Sequence, residues 1–188
     1  MTKENIEKDI SIIKNTNKLT GNIGIYRQIS LFKDICKKYK DYPGFNSILD
    51  EIKDIDVLNG KGLEKMSELG NYKKSILDSL ETIIDFENSK KTLKACINTC
   101  KKYYSALPNS FLTNQKIYKD FRQQKMLFKN RLQACEKLLE KLYNNEVNMK
   151  KFCAEVNNIK KAILGTIKEI KSYGFTLENN IKESYFNY

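Results

Sequence analysis

The longest regular hydrophobic pattern in the chain occupies residues 117–142, which read IYKDFRQQKMLFKNRLQACEKLLEKL. Apolar residues recur there at steps of four and three positions, and Gln124 fills one place in the same spacing. The apolar members of this stripe are Ile117, Phe121, Phe128, Leu132, Cys135, Leu139 and Leu142. Because this period is that of an α-helix with one buried side, the segment predicts a helix packed along its whole length.

A second pattern of the same period begins after Asn144-Asn145, which interrupts the first one. Its apolar residues are Met149, Phe152, Cys153, Val156, Ile159, Ile163, Ile167 and Ile170, and the pattern ends near Gly174. Two long amphipathic helices joined by a short turn favour antiparallel packing at a shallow crossing angle. We therefore expect a long antiparallel coiled-coil-like helix pair in the C-terminal half.

Helical spacing also dominates the preceding sequence. It predicts helices over residues 24–39, over a short segment with Ile48, Ile52 and Ile55 on one side, from about 63 to 88 with strain near Gly70, and over 89–106, closed by Leu107-Pro108. A last amphipathic segment carries Leu177, Ile181 and Tyr185. Since no segment has the two-residue period of a strand, the sequence predicts an all-α fold, a single multi-helix bundle.

Length and composition favour one globular domain. The chain has 188 residues, of which 40% are hydrophobic, and these values predict a single helical-bundle domain over residues 1–188. The charge is unevenly divided, because residues 1–88 hold 14 basic and 15 acidic side chains whereas residues 89–188 hold 20 and 8. A possible subdivision therefore separates near-neutral helices, 1–88, from a basic long-helix bundle, 89–188.

The sequence lacks the residues that most catalytic sites need. It contains no histidine, which excludes histidine-activated nucleophiles and histidine-containing zinc or di-iron sites. It also contains no phosphate-binding glycine loop and no calcium-loop motif. We predict a non-enzymatic protein with no catalytic residue, no metal and no cofactor. A lysine-dependent enzyme or a small-ligand carrier remains an alternative to the two binding functions described at the end of this section.

The chain contains an odd number of cysteines, and all of them fall on apolar helical stripes. They are Cys36, Cys96, Cys100, Cys135 and Cys153. A buried free cysteine behaves as a small hydrophobic residue, so we predict that these side chains pack in the core. An interhelical disulfide and a thiolate metal site are the alternatives.

Residues 89–131 are strongly basic, with eleven lysines or arginines and the single acid Asp120. Helical geometry places the first five of these lysines on one side of their helix and spreads five more basic residues over the next. This candidate anion-binding face comprises Lys90, Lys91, Lys94, Lys101, Lys102, Lys116, Lys119, Arg122, Lys125 and Lys129. The alternative is an ordinary solvated surface of a lysine-rich chain, because only three of the 34 basic residues are arginine.

By elimination, the sequence favours a helical interaction module that acts through contacts with another protein. The alternative function is charge-driven binding of nucleic acid or of an anionic membrane surface through residues 89–131. No apolar run approaches the length of a transmembrane helix, and the first residues do not resemble a signal peptide. We therefore expect a soluble protein, either cytoplasmic or a mature secreted chain with an added Met.

Overall fold

The computed structural model describes residues 2–107, 115–144 and 146–172, without the side chains of residues 63 and 115–120. Within these ranges the chain forms six α-helices and two 3-10 helices, Thr16–Lys18 and Leu63–Glu68. The α-helices are α1 Lys3–Asn15, α2 Gly21–Lys38, α3 Phe45–Ile52, α4 Leu69–Ala106, α5 Gln115–Tyr143 and α6 Met149–Ser172. The only extended pairing in these ranges is one bridge between Asp56 and Lys61, so the predicted all-α class is confirmed for them.

The chain divides into two compact units, Met1–Ile84 and Asp85–Tyr188. The boundary between them falls inside α4, which therefore contributes residues to both units. A domain is defined by its ability to fold independently. The single domain predicted over residues 1–188, with its possible division after residue 88, therefore stays a prediction. The segment with Leu177, Ile181 and Tyr185 lies outside the described residues.

The first unit begins with a helix that our sequence analysis did not assign. Helix α1 buries Ile6, Ile10 and Ile13, whose steps of four and three are the same signal that revealed the longer helices. Helix α2 buries the predicted residues Ile29, Phe32 and Cys36, together with Tyr39 just beyond its last turn. The N-terminal helices thus follow the hydrophobic period, although the pattern of α1 was overlooked.

A buried carboxylate links α1 to the end of α2. The hydroxyl of Tyr39 and the ammonium group of Lys38 each donate a hydrogen bond of 2.6 Å to Oδ2 of Asp9. Asp9 is 8% exposed and Tyr39 is fully buried, so the hydrogen bond between them is shielded from water, whereas the Lys38 side chain is 44% exposed. A buried charge is tolerated only when it is paired and hydrogen-bonded, and Asp9 meets both conditions.

Helix α3 is shorter than the sequence predicted. It starts after Gly44, whose φ of +94° lies in the left-handed region that glycine adopts most easily, and it ends at Ile52. Ile55 is buried but lies beyond the helix. The ammonium group of Lys33 on α2 donates to the carbonyl oxygens of Lys53 and Ile55, at 2.8 Å each. These two bonds satisfy backbone carbonyls of the turn that follows α3.

The predicted separation of a 63–88 helix from an 89–106 helix is wrong. Residues 63–68 form a 3-10 turn, and α4 then runs without interruption from Leu69 to Ala106. No glycine or proline occurs between residues 71 and 106, so no local signal stops the helix. The buried stripe changes side along α4, from Ile76, Leu80 and Ile83 to Leu93 and Cys96. This change made one helix resemble two.

The core of the second unit is formed by the C-terminal half of α4 together with α5 and α6. Ring contacts fix the packing: Tyr103 stacks on Phe128 at 4.9 Å between centroids, and Phe86 meets Phe152 edge-on at 5.2 Å. The buried residues are Leu93, Cys96, Ile97, Cys100, Tyr103, Leu107, Phe121, Phe128, Cys135, Leu138, Phe152, Val156, Ile163, Ile167 and Ile170. Leu138 was not part of the predicted stripe, whereas Leu132 and Leu139 are only partly buried.

Truncation of the central ring of this core should be costly. We expect Phe128→Ala to lower the free energy of unfolding by about 3 to 5 kcal/mol, because the lost transfer energy adds to the cavity left beneath Tyr103. Met126→Ala on the same helix is the control, since Met126 is 55% exposed and its loss should change stability by about 0.5 kcal/mol or less. Urea unfolding curves of both variants measure the difference.

Tyr39 should make stability fall at alkaline pH. Burial and the hydrogen bond to Asp9 raise the pKa of its phenol, so the folded protein holds this proton at pH values where the unfolded chain has lost it. Stability is therefore fully present below about pH 10 and falls above it, by about 2 kcal/mol between pH 10 and 12.

The matching variant is Tyr39→Phe, which removes the titrating proton. It should be less stable than wild type at pH 7, by about 1 to 3 kcal/mol for the lost bond to Asp9, yet lose less stability between pH 10 and 12. Denaturant unfolding at several pH values tests this. Equal alkaline slopes for wild type and Tyr39→Phe would contradict it, and Tyr143→Phe, at a position 74% exposed, controls for loss of a phenol.

Candidate functional site

Helix α4 carries five residues of the candidate anion-binding face. Lys91, Lys94, Lys101 and Lys102 are all exposed, whereas Cys96 and Cys100 on the other side of the helix are fully buried. We refer to these four lysines as the lysine row. None of the four has an acidic partner within ion-pair distance among the residues that the structure describes. Their charges therefore face solvent.

Lys90, the fifth of these lysines, has a local partner. Its ammonium nitrogen lies 2.5 Å from Oε1 of Glu87, one turn earlier on α4, and 5.1 Å from the ring centre of Phe86. The side chain is 31% exposed. Since part of its charge is compensated by Glu87, Lys90 contributes less to the potential of this surface than its four neighbours do.

The basic residues of α5 are placed less uniformly than predicted. Arg122 and Lys129 are exposed. Lys125 is half-buried, donates a 2.9 Å hydrogen bond to the carbonyl oxygen of Leu107, and lies 5.0 Å from the ring centre of Tyr104. A cation suits the carbonyl end of a helix, so Lys125 ties α5 to the end of α4 and is not a fully exposed charge. Lys116 and Lys119 belong to α5, but their side chains lie outside the described part.

An open cleft of about 350 Å³ lies between α5 and α6, and our sequence analysis did not find it. Its floor is apolar and its rim is polar. It is lined by Ala134, Lys137, Leu138, Lys141, Glu155, Asn158 and Ile159. A shallow apolar depression with charged edges is the shape that accepts side chains from an amphipathic helix. The sequence signal that could have indicated this cleft is the pair of adjacent leucines, Leu138 and Leu139. A helical stripe with steps of four and three uses only one of two adjacent residues, so the second leucine is available to line a neighbouring surface.

A polar group spans the interior between α5 and α6. The guanidinium of Arg131 donates a hydrogen bond to Oγ1 of Thr166, and that hydroxyl donates onward to the carbonyl of Ala162 at 3.2 Å. Burial lowers the pKa of Arg131, and the nearby Cys100 and Glu169 oppose that shift. Arg131, which we did not single out from the sequence, is therefore a half-buried charged residue that links α5 to α6.

The cysteines are placed largely as predicted. Cys36, Cys96, Cys100 and Cys135 are buried, Cys153 is half-buried, and all five are free thiols. Burial raises the pKa of Cys36 and of Cys96 to about 12, so both are protonated at neutral pH and are poor nucleophiles. Within the described ranges, no group of three histidine, cysteine or acidic side chains is arranged to hold a metal ion.

Comparisons with known proteins give no relative: no family model, no curated protein and no solved structure matches this chain. In the part of the chain that the structure describes, no helix combines the length and the apolar character needed to cross a membrane. The lysine row on α4 and the α5–α6 cleft are two features of the described surface that could serve recognition.

Proposed function

We propose that this protein is a non-enzymatic interaction module whose α5–α6 cleft receives the apolar side chains of an amphipathic helix from a partner protein. The cleft itself carries the proposal, because Leu138, Ile159 and Ala134 present apolar surface at its floor. Helix-in-groove recognition places residues spaced three and four apart into such a depression. The absence of histidine from the whole chain is consistent with a protein that binds and does not catalyse.

The proposal includes the long antiparallel, coiled-coil-like pairing of α5 and α6 as the frame of the cleft. Arg131 of α5 bonds to Thr166 of α6, and further along α5 Leu138 lines the cleft with Ile159. Numbers rise along one helix as they fall along the other, which supports an antiparallel arrangement. The steps of four and three in both helices support side-by-side packing along their length.

The rim charges favour an acidic partner. Lys137 and Lys141 stand on α5, while Glu155 is the acid on the α6 side. The chain as a whole carries a formal charge of +11, which accelerates encounter with negatively charged surfaces. The partner helix should therefore carry leucine-like residues on one stripe and glutamate or aspartate beside them.

The experiment is selection of a displayed library of amphipathic helical peptides against the full chain, with a counter-selection against Ala134→Phe. This variant places a ring at the half-buried floor of the cleft and should weaken the selected peptides at least about tenfold, since the site is filled. Gln133→Phe, at the exposed adjacent position on α5, is the matched control and should leave affinity unchanged. Fluorescence anisotropy measures both.

Two results would contradict the proposal. One is that no acid-flanked apolar helix is enriched by the native chain. The other is that enriched peptides bind Ala134→Phe and Gln133→Phe equally well while both variants keep the wild-type unfolding curve.

We also propose a second candidate function, binding of a polyanion by the lysine row. The observation that favours it is the common side and exposure of Lys91, Lys94, Lys101 and Lys102, with no acidic partner for any of them among the described residues. Nucleic acid phosphates or anionic lipid headgroups would bind by displacing counterions. The scarcity of arginine supports contact with backbone phosphates in preference to base-specific recognition.

Replacement of all four residues of the lysine row by glutamine should weaken binding to a labelled DNA duplex and reduce the salt dependence of the binding constant by a slope of about 3 to 4. The matched control replaces four exposed lysines of α6, Lys150, Lys151, Lys161 and Lys168, which gives the same change of net charge elsewhere. Titrations at two salt concentrations, repeated with phosphatidylserine vesicles, separate the two anions. An equal loss in both variants would mean that only net charge matters and would reject a defined site.

A further inference from the structure

The end of α4 presents an aromatic side chain to solvent. Tyr104 is 37% exposed, and it is the only large hydrophobic residue that α4, a fully described helix, leaves exposed. The preceding residue Tyr103 is buried and stacks on Phe128. By contrast, the hydroxyl of Tyr104 has no hydrogen-bond partner among the described residues. The ring of Tyr104 is therefore not part of the core packing.

Cations from two helices lie beside this ring. The ammonium nitrogen of Lys125 on α5 lies 5.0 Å from the ring centre, and its hydrogen bond to the carbonyl oxygen of Leu107 holds it there. Lys101 precedes Tyr104 by three residues on α4, so the two side chains are neighbours on one side of that helix. Lys129 follows Lys125 by one turn on α5, and both Lys101 and Lys129 are exposed. We refer to Tyr104, Lys101, Lys125 and Lys129 as the Tyr104 site.

The Tyr104 site continues the lysine row along α4. Lys101 belongs to both, and Lys94 lies two turns before it on the same side of the helix. At a rise of about 1.5 Å per residue, the distance along the helix from Lys91 to Tyr104 is about 20 Å. The sequence contains no acidic residue from position 88 to position 119. The outer side of α4 is therefore a continuous basic surface with an exposed aromatic ring at one end.

We propose that the lysine row and the Tyr104 site together bind single-stranded nucleic acid, with one base stacked on Tyr104 and the backbone phosphates on the lysines. This inference rests on the polyanion function proposed above and names the class of its ligand. Proteins that bind single strands without sequence preference combine a basic surface along the backbone with aromatic rings on which bases stack. Both components occur here on adjacent turns of one helix.

The exposed ring distinguishes among the polyanions. In a duplex the bases are paired and stacked on one another, so a tyrosine ring can stack only on a base that is unpaired. An anionic membrane is bound by a helix that inserts an apolar face between the headgroups. Apart from Tyr104, α4 exposes no large hydrophobic residue that could be inserted in this way. The surface therefore favours an unpaired strand over a duplex or a membrane.

The test measures binding of a labelled oligothymidylate of about 16 nucleotides to the full chain by fluorescence anisotropy. Tyr104→Ala should weaken binding at least about fivefold because one stacked base is lost, whereas Tyr104→Phe keeps the ring and should stay within about twofold of wild type. Tyr104→Leu retains apolar bulk beside Lys125 without an aromatic face, so it should lose affinity as Tyr104→Ala does. The matched control is Tyr26→Ala in the first unit, at a position 42% exposed, which should leave affinity unchanged. Urea unfolding curves verify that each variant is folded.

A strand of the same length that carries no bases separates stacking from phosphate contact. Tyr104→Ala should bind this abasic strand, a DNA duplex and phosphatidylserine vesicles as tightly as wild type does. An equal loss of affinity for the abasic strand or for the vesicles would overturn the proposal. Wild-type affinity of Tyr104→Ala or Tyr104→Leu for the oligothymidylate would overturn it as well.

The glutamine variant of the lysine row distinguishes failure of this inference from failure of the polyanion function. If that variant loses affinity for the oligothymidylate while Tyr104→Ala does not, the lysine row binds polyanions and stacking on Tyr104 is wrong. If the wild-type chain binds neither strand, duplex nor vesicle, both proposals are wrong.

Discussion

An amphipathic helix cannot hide its own apolar stripe, and this constraint governs the whole structure. Each helix must find a neighbour whose stripe meets its own, and α4 must do so twice because its stripe changes side along its length. In the second unit the solution is a three-helix core in which Tyr103, Phe128 and Phe152 supply the large side chains. The solvent-facing sides of the same helices carry charged residues.

Polar groups inside this packing are matched almost completely. Asp9 has Tyr39 and Lys38, and Arg131 has Thr166. The exception is Oε1 of Gln124, which is buried without a hydrogen-bond partner among the described residues. Gln124 lies between Phe121 and Phe128 on the buried side of α5, so its amide is buried together with the apolar stripe. An unpaired buried oxygen of this kind costs about 1 to 3 kcal/mol.

The same packing divides the basic residues into two groups with different roles. Lys33 and Lys125 use their ammonium groups on backbone carbonyls at helix ends, and Lys90 shares its charge with Glu87. The four lysines of the lysine row on α4 have no such contact among the residues that the structure describes. The charge of the second half is therefore partly structural, and the surface available to an anion is smaller than the basic sequence between residues 89 and 131 implies. The α5–α6 cleft depends on the same packing, because both Leu138 and Ile159 line it, Leu138 is a core residue and Ile159 packs against the core.

Sequence alone determined most of the helices and most of their buried residues, because a period of three to four residues is a local property that any helix expresses; α1 was missed although it shows the same period. Residues such as Phe121, Val156 and Ile163 could therefore be assigned to the core. Tertiary structure decided the rest: the continuity of α4 through Ser89, the partners of Lys90 and Lys125, and the cleft beside Leu138. Each of these depends on which two helices meet and in what register, and helical periodicity carries no information about the register between distant segments.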